Sequence, residues 1–157
     1  QIASSWTFYS PSIFMMYHRT SGLADSESEE MKECMPYYYQ VSDGHGNGAE
    51  HAFAAELHYE RGEFIDASIA SKMAISAAKR KQQVSVALVG EFLNMRLDLI
   101  NGDYEKIQEN IRLLRDSVRR EKHYPLFSTL DVCKMFMDSM LGHPEGSPDW
   151  LLEGRLA

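Results

Sequence analysis

The sequence predicts an all-α fold, a superhelical stack of antiparallel helix hairpins (an α-solenoid) with a period of 40 residues. Three observations predict it. First, the stretch Leu57-His-Tyr-Glu-Arg-Gly62-Glu-Phe64-Ile-Asp-Ala67 returns forty residues later as Leu97-Asp-Leu-Ile-Asn-Gly102-Asp-Tyr104-Glu-Lys-Ile107. Leucine, glycine, aromatic and small or aliphatic residues keep the same offsets both times. Second, Gly22, Gly62, Gly102 and Gly142 form a ladder of constant step. Third, no stretch alternates apolar and polar residues as a half-buried strand does. Each glycine sits where a helix must end, at a position favouring positive φ. The aromatic after it opens a second helix and is expected to plug the cleft between the two.

The elements follow in order. Ser10 and Pro11 make a helix start, N-cap and first helical position, and Gly22 ends that helix. From Asp25 or Ser26 a second helix begins with Glu27, Glu29 and Glu30, acids suited to a helix N-terminus. Met31, Cys34 and Met35 are expected on its inner face, and Pro36 is expected to end or kink it. The loop Ser42 to Gly48 leads to a helix from Glu50 to Arg61. Its partner runs from Phe64 to about Lys81, with Ala67, Ala70, Ala74 and Ala78 at helical spacing. Val84 to Ile100 repeats the first type. Asp103 to about Lys122 repeats the second, with Tyr104, Ile107, Ile111, Leu114 and Val118 inward. Pro125 begins a third copy of the first type, which closes at Gly142. Loop follows to Pro148, and Asp149 starts a last short helix. The repeats are read as 10–41, 48–82, 84–122 and 125–157 of one repeat domain. The chain begins at Gln1 rather than Met, so it is read as a fragment of something longer.

Composition removes some functions. A formal net charge of −7 argues against nucleic-acid binding, which wants a basic face. Cys34 and Cys133 lie far apart without CxxC spacing, so neither a disulfide framework nor a zinc site is indicated. The most apolar stretch, Val84 to Ile100, contains Glu91, Arg96 and Asp98 and is no membrane span. No signal peptide is visible, and a cytoplasmic location is expected.

The candidate constellations are few. Gly44-His45-Gly46-Asn47-Gly48 lacks a following Lys-Ser/Thr and a preceding strand, so it is a linker rather than a phosphate loop. It does open a helix, where an anion is physically possible. No His lies three or four residues from another, so no metal site is expected. No catalytic residue and no cofactor site is expected either. The helix ends Lys79-Arg80-Lys81 and Arg119-Arg120-Lys122 face the helix dipole, or else form a patch for an acidic partner. One surface is singled out. The first helix of each pair would line a concave face carrying Arg19, Glu56, Tyr59, Phe92, Arg96, Phe136 and Ser139. An aromatic floor with an Arg and a Glu suits a small ligand or a peptide.

The rungs Gly62-x-Phe64-x-x-Ala67 and Gly102-Asp-Tyr104-x-x-Ile107, with Ala74, resemble the tetratricopeptide repeat. The period of 40 is longer than that family's usual one, and Ala24 replaces the aromatic after Gly22. The longer variant resembles the central arm of large LuxR-family transcriptional regulators of the maltose-activator-like kind. The segments Ser10 to Gly22, Met35 to Gln40 and Asp43 to Glu50 and the closing Pro148-Asp-Trp150-Leu carry the more specific likeness. That resemblance implies an arm that binds an unidentified small-molecule inducer or a protein or peptide partner. It implies an ATPase module before the arm and a DNA-binding module after it, with neither activity in these 157 residues. The alternatives are a generic peptide-binding repeat scaffold unrelated to transcription and a small helical enzyme.

Overall fold

The computed structural model describes residues 24–41, 43, 46–143 and 149–153. The helix expected from Ser10 to Gly22 lies outside them. Every regular element among the described residues is helical: α1 Ala24–Val41, α2 Ala49–Glu60, α3 Phe64–Arg80, α4 Val84–Asn101, α5 Tyr104–Arg120, a 3-10 turn Tyr124–Leu126, α6 Phe127–Met140 and α7 Asp149–Leu152. The chain divides into two compact units, Gln1–Asn94 and Met95–Ala157.

The turns explain the element lengths. Positive φ occurs at Gly62, Gln82, Gly102, Lys122 and Gly142, which follow one another in twenty-residue steps. At each, the next residue's N–H reaches back five residues. Glu63 donates to the His58 carbonyl (2.8 Å), Gln83 to Ala78 (2.8 Å), Asp103 to Asp98 (2.9 Å), His123 to Val118 (3.0 Å) and His143 to Asp138 (2.7 Å). The positive-φ residue itself donates three residues back, as Gly62 does to Tyr59 at 3.0 Å. This pair of bonds is the Schellman motif, which satisfies carbonyls a helix end leaves open. A Cβ built on Gly62, Gly102 or Gly142 meets nothing within 4 Å. Glycine is therefore used there for its backbone freedom and not for space.

In the first unit the hairpin of α2 and α3 is joined by small residues. Ala52, Ala74 and Ala78 are buried with Val86 and Ala87. Ala55 and Ala70 are buried with Leu93, and Phe53 and Leu57 with Met35 against them. An alanine methyl contributes on the order of 0.8 kcal/mol on burial, against about 1.5–3 kcal/mol for a Leu or Phe. The seam thus gives up apolar area for close backbone approach. Gly48, at φ +96, lies so close to α3 that a Cβ would stand 2.6 Å from the Ala74 carbonyl oxygen. Gly90 of α4 is similar, with Ile75 Cγ1 2.7 Å from the Cβ position. Beside it the buried Ser71 hydroxyl donates to the Gly90 carbonyl at 2.9 Å and lies 2.9 Å from the Asn94 side-chain amide. In the second unit Met95, Ile107, Ile111, Val118, Leu130, Cys133 and Met137 are buried.

Four local expectations change. Phe64 is 41% exposed and Tyr104 54%, so neither ring plugs a cleft. Each is the first residue of its helix, and helical side chains lean back over the preceding turn. Ala67 and Ile107, three residues on, are the buried residues instead, at 0%. Cys34 is exposed, and Met35 turns inward in α1. That helix continues through Pro36 to Val41, although proline removes one hydrogen bond there. Ile100, expected on the apolar face, is half exposed.

Candidate functional site

The expected concave-face residues fall as follows. Arg19 lies outside the described residues. Glu56 and Tyr59 are half-buried on α2, Phe92 and Arg96 are half-buried on α4, and Phe136 and Ser139 are exposed on α6. Tyr59 is tied into the first unit. Its ring rests against the Ala55, Ala70 and Leu93 cluster and meets the Phe64 ring at 5.8 Å between centroids, tilted by 59°. Each helix carries its pair at a spacing of three or four residues, which places the two on one helical face. Glu56, Tyr59 and Phe92 belong to the first unit, and Arg96, Phe136 and Ser139 to the second.

Sequence reading missed the polar clusters at the turns. His58, four residues before Gly62, has Nδ1 2.6 Å from Glu63 Oε2. Asp66 joins them, and one ligand atom from each of the three lies within 4.8 Å of the others. The spacing crosses a turn, i, i+5, i+8, so a search for histidines one helical turn apart does not find it. At the same register in the second unit stand Asp98, Asp103 and Lys106. Lys106 Nζ donates to Asp98 Oδ1, and Asp98 is 6% exposed. That hydrogen bond, with the charges of Asp98 and Asp103 beside it, raises the Lys106 pKa above the ordinary lysine value. Forty residues further, Asp138 accepts from Gln108 Nε2 at 3.2 Å and from Lys134. Asp131 is likewise held by Arg115 and by Trp150 Nε1 at 3.2 Å.

Of the glycine-rich loop, Gly44 and His45 lie outside the described residues, and Gly46 is bonded within its own protein. The Gly46 N–H donates to Gln83 Oε1 at 3.0 Å, and the Gly46 carbonyl accepts from Ala49 N–H at 2.9 Å and from the Tyr39 hydroxyl at 3.3 Å. Tyr39 also bonds Glu50, and burial followed by that bond pushes its phenol pKa upward. An anion at the start of α2 would meet the Glu50 carboxylate in the helix's first turn. Lys79 and Arg80 border an open groove of ≈ 580 Å³ with Lys72, Ile75 and Ser76. Lys79 pairs with Glu91 at 3.0 Å, and Arg80 donates to Ser76 Oγ at 3.2 Å, which leaves a weakly basic surface. Burial pushes the Cys133 thiol up to about 11, so at neutral pH it is no nucleophile.

Among the described residues no helix is long and apolar enough to cross a membrane. Compared with protein-family models, with curated proteins and with solved structures, the chain matches none.

Proposed function

We propose that this chain is a tetratricopeptide-like helical-repeat arm, a stack of hairpins of period 40, that binds a ligand or partner and does no chemistry. The observation that carries it is the recurrence of one Schellman turn at Gly62, Gln82, Gly102, Lys122 and Gly142, with Ala67 and Ile107 buried just beyond the first and third of them. Units so thin hide their apolar sides only against neighbours, and stacking them creates long exposed faces. The likeness of the rungs to the arm of LuxR-family regulators makes a regulatory arm our preferred setting. In that setting a small-molecule inducer, or a protein or peptide, binds the first unit at the face carrying Glu56, Tyr59 and Phe92. It shifts the arm's equilibrium only by its difference in affinity between two arrangements.

A thermal-shift screen of metabolites and peptides tests the reading. A hit whose shift disappears in both Glu56→Ala and Phe92→Ala supports it. A hit that neither variant weakens moves the site elsewhere and overturns the assignment of this face. A generic peptide-binding scaffold is the second reading, favoured by a screen in which only peptides score.

A further inference from the structure

We propose that the first glycine turn is a divalent transition-metal site, with His58, Glu63 and Asp66 as its protein ligands. The turn itself presents the donors. The Glu63 N–H clamps the His58 carbonyl at 2.8 Å, and the two side chains already meet at 2.6 Å. The Ala67 N–H bonds the Glu63 carbonyl at 2.9 Å and starts α3, which sets Asp66 in its first turn. Three donor atoms, one nitrogen and two carboxylate oxygens, lie within 4.8 Å of one another. Zinc holds such ligands at about 2.0–2.2 Å, so donor atoms around one ion stand roughly 3–4 Å apart. Small rotations of these partly exposed side chains reach that geometry. An imidazole with two carboxylates is a borderline-hard set suited to Zn²⁺, Co²⁺ or Ni²⁺, with water completing the shell.

The second turn supplies an independent observation. Its register equivalents are Asp98, Asp103 and Lys106, and there an ammonium group lies against the Asp98 carboxylate with Asp103 nearby. Residue 106 provides the positive charge that two acids on this backbone require. Residue 66, at the same place in the first turn, is an aspartate. The first turn therefore keeps the acid at 63, carries a histidine where the second has Asp98, and replaces the built-in cation with a third donor. An external cation at that position does for the first turn what Lys106 does for the second. On binding, His58 Nδ1 exchanges its hydrogen bond to Glu63 for the metal and offers its lone pair, the neutral ring's one proton being carried on Nε2.

The test uses the untagged chain, stripped with a chelator and titrated with Zn²⁺ by calorimetry and with Co²⁺ by visible absorption. One ion per chain is expected, with binding about tenfold or more weaker in both His58→Ala and Asp66→Asn. The informative variant is Asp66→Lys, which installs the second turn's ammonium. It should lose the metal while melting no lower than the stripped parent. Binding that survives His58→Ala or Asp66→Lys overturns the proposal, as does a parent chain that takes up no ion. Should Asp66→Lys fail to fold, the His58→Ala and Asp66→Asn titrations decide the matter by themselves.

Discussion

Gly48→Ala, set against Gly62→Ala, measures how much the first unit depends on backbone contact between α2 and α3. Both glycines have positive φ, +96 and +77. Placing an L-residue there costs about 1–2 kcal/mol in either case. At Gly62 that is the whole cost, because the new methyl has open space around it. At Gly48 the methyl would stand 2.6 Å from the Ala74 carbonyl oxygen, 3.2 Å from the Ala78 nitrogen and 3.3 Å from Ala77 Cβ. Two of these are main-chain atoms of α3, which cannot swing aside as a side-chain tip can. The helix must move, and overpacking of this kind costs about 1–3 kcal/mol more. Gly48→Ala should therefore destabilise by about 2–5 kcal/mol and Gly62→Ala by about 1–2 kcal/mol. Urea denaturation followed by far-ultraviolet circular dichroism gives both from the midpoint and slope. Equal losses in the two variants would refute the close approach of α2 to α3 at this point.

Other expectations can be checked with the same protein. Gln82→Gly and Lys122→Gly relieve a left-handed conformation that only glycine reaches cheaply, so each should stabilise by about 0.5–1 kcal/mol and raise the melting temperature by roughly 1–4 °C. Phe64→Ala should cost about 1–2 kcal/mol, well under the roughly 3–5 kcal/mol of a fully buried ring, because Phe64 is 41% exposed. Lys106 has its pKa raised by the Asp98 hydrogen bond, so the pair's contribution is complete below the ordinary lysine value of about 10.4 and is lost as pH rises through the higher folded value. Lys106→Met should remove that alkaline loss from a plot of melting temperature against pH, while leaving Asp98 buried without its partner and the protein less stable at neutral pH. With a thiol reagent at pH 8 in buffer, Cys34 should react at once, and Cys133, buried and pushed up to about 11, only on unfolding.

The helices and three of the turns are legible in the sequence because glycine announces positive φ. The turns at Gln82 and Lys122 are not, since nothing about glutamine or lysine signals a left-handed backbone. The sequence therefore displays a forty-residue step, while the described turns recur at half of it. The buried alanines of α3 are legible from their helical spacing. The exposure of Phe64 and Tyr104 is not. Their fixed offset from glycine reads like a packing position, but a helix's first residue leans over the turn, and Ala67 and Ile107 take the interior. The turn cluster at His58 escaped because its donors come from the end of one helix, the turn and the start of the next. The backbone bonds Glu63 to His58 and Ala67 to Glu63 bring them together.

The first of those bonds shows where variation is permitted in this chain. Glu63 to His58 and Asp103 to Asp98 are one main-chain hydrogen bond in two copies, at 2.8 and 2.9 Å. The backbone asks only for a residue of positive φ just before the donor, glycine in these two copies, so the side chains at the bond's two ends are free to differ. In one copy they are histidine and glutamate, and in the other two aspartates. The residue three further on then answers the charge it meets. Lys106 faces the buried Asp98, whose other oxygen, Oδ2, has no hydrogen-bond partner, while Asp66 faces an imidazole. A repeated scaffold held by main-chain turns and an alanine seam leaves its turn side chains available for chemistry that differs from one repeat to the next. Exchanging the two sets tests this directly. His58→Asp with Asp66→Lys should melt near the parent temperature, because the paired charges at the second turn already fit this backbone. A double variant much less stable than either single change would mean that the two turns are not equivalent.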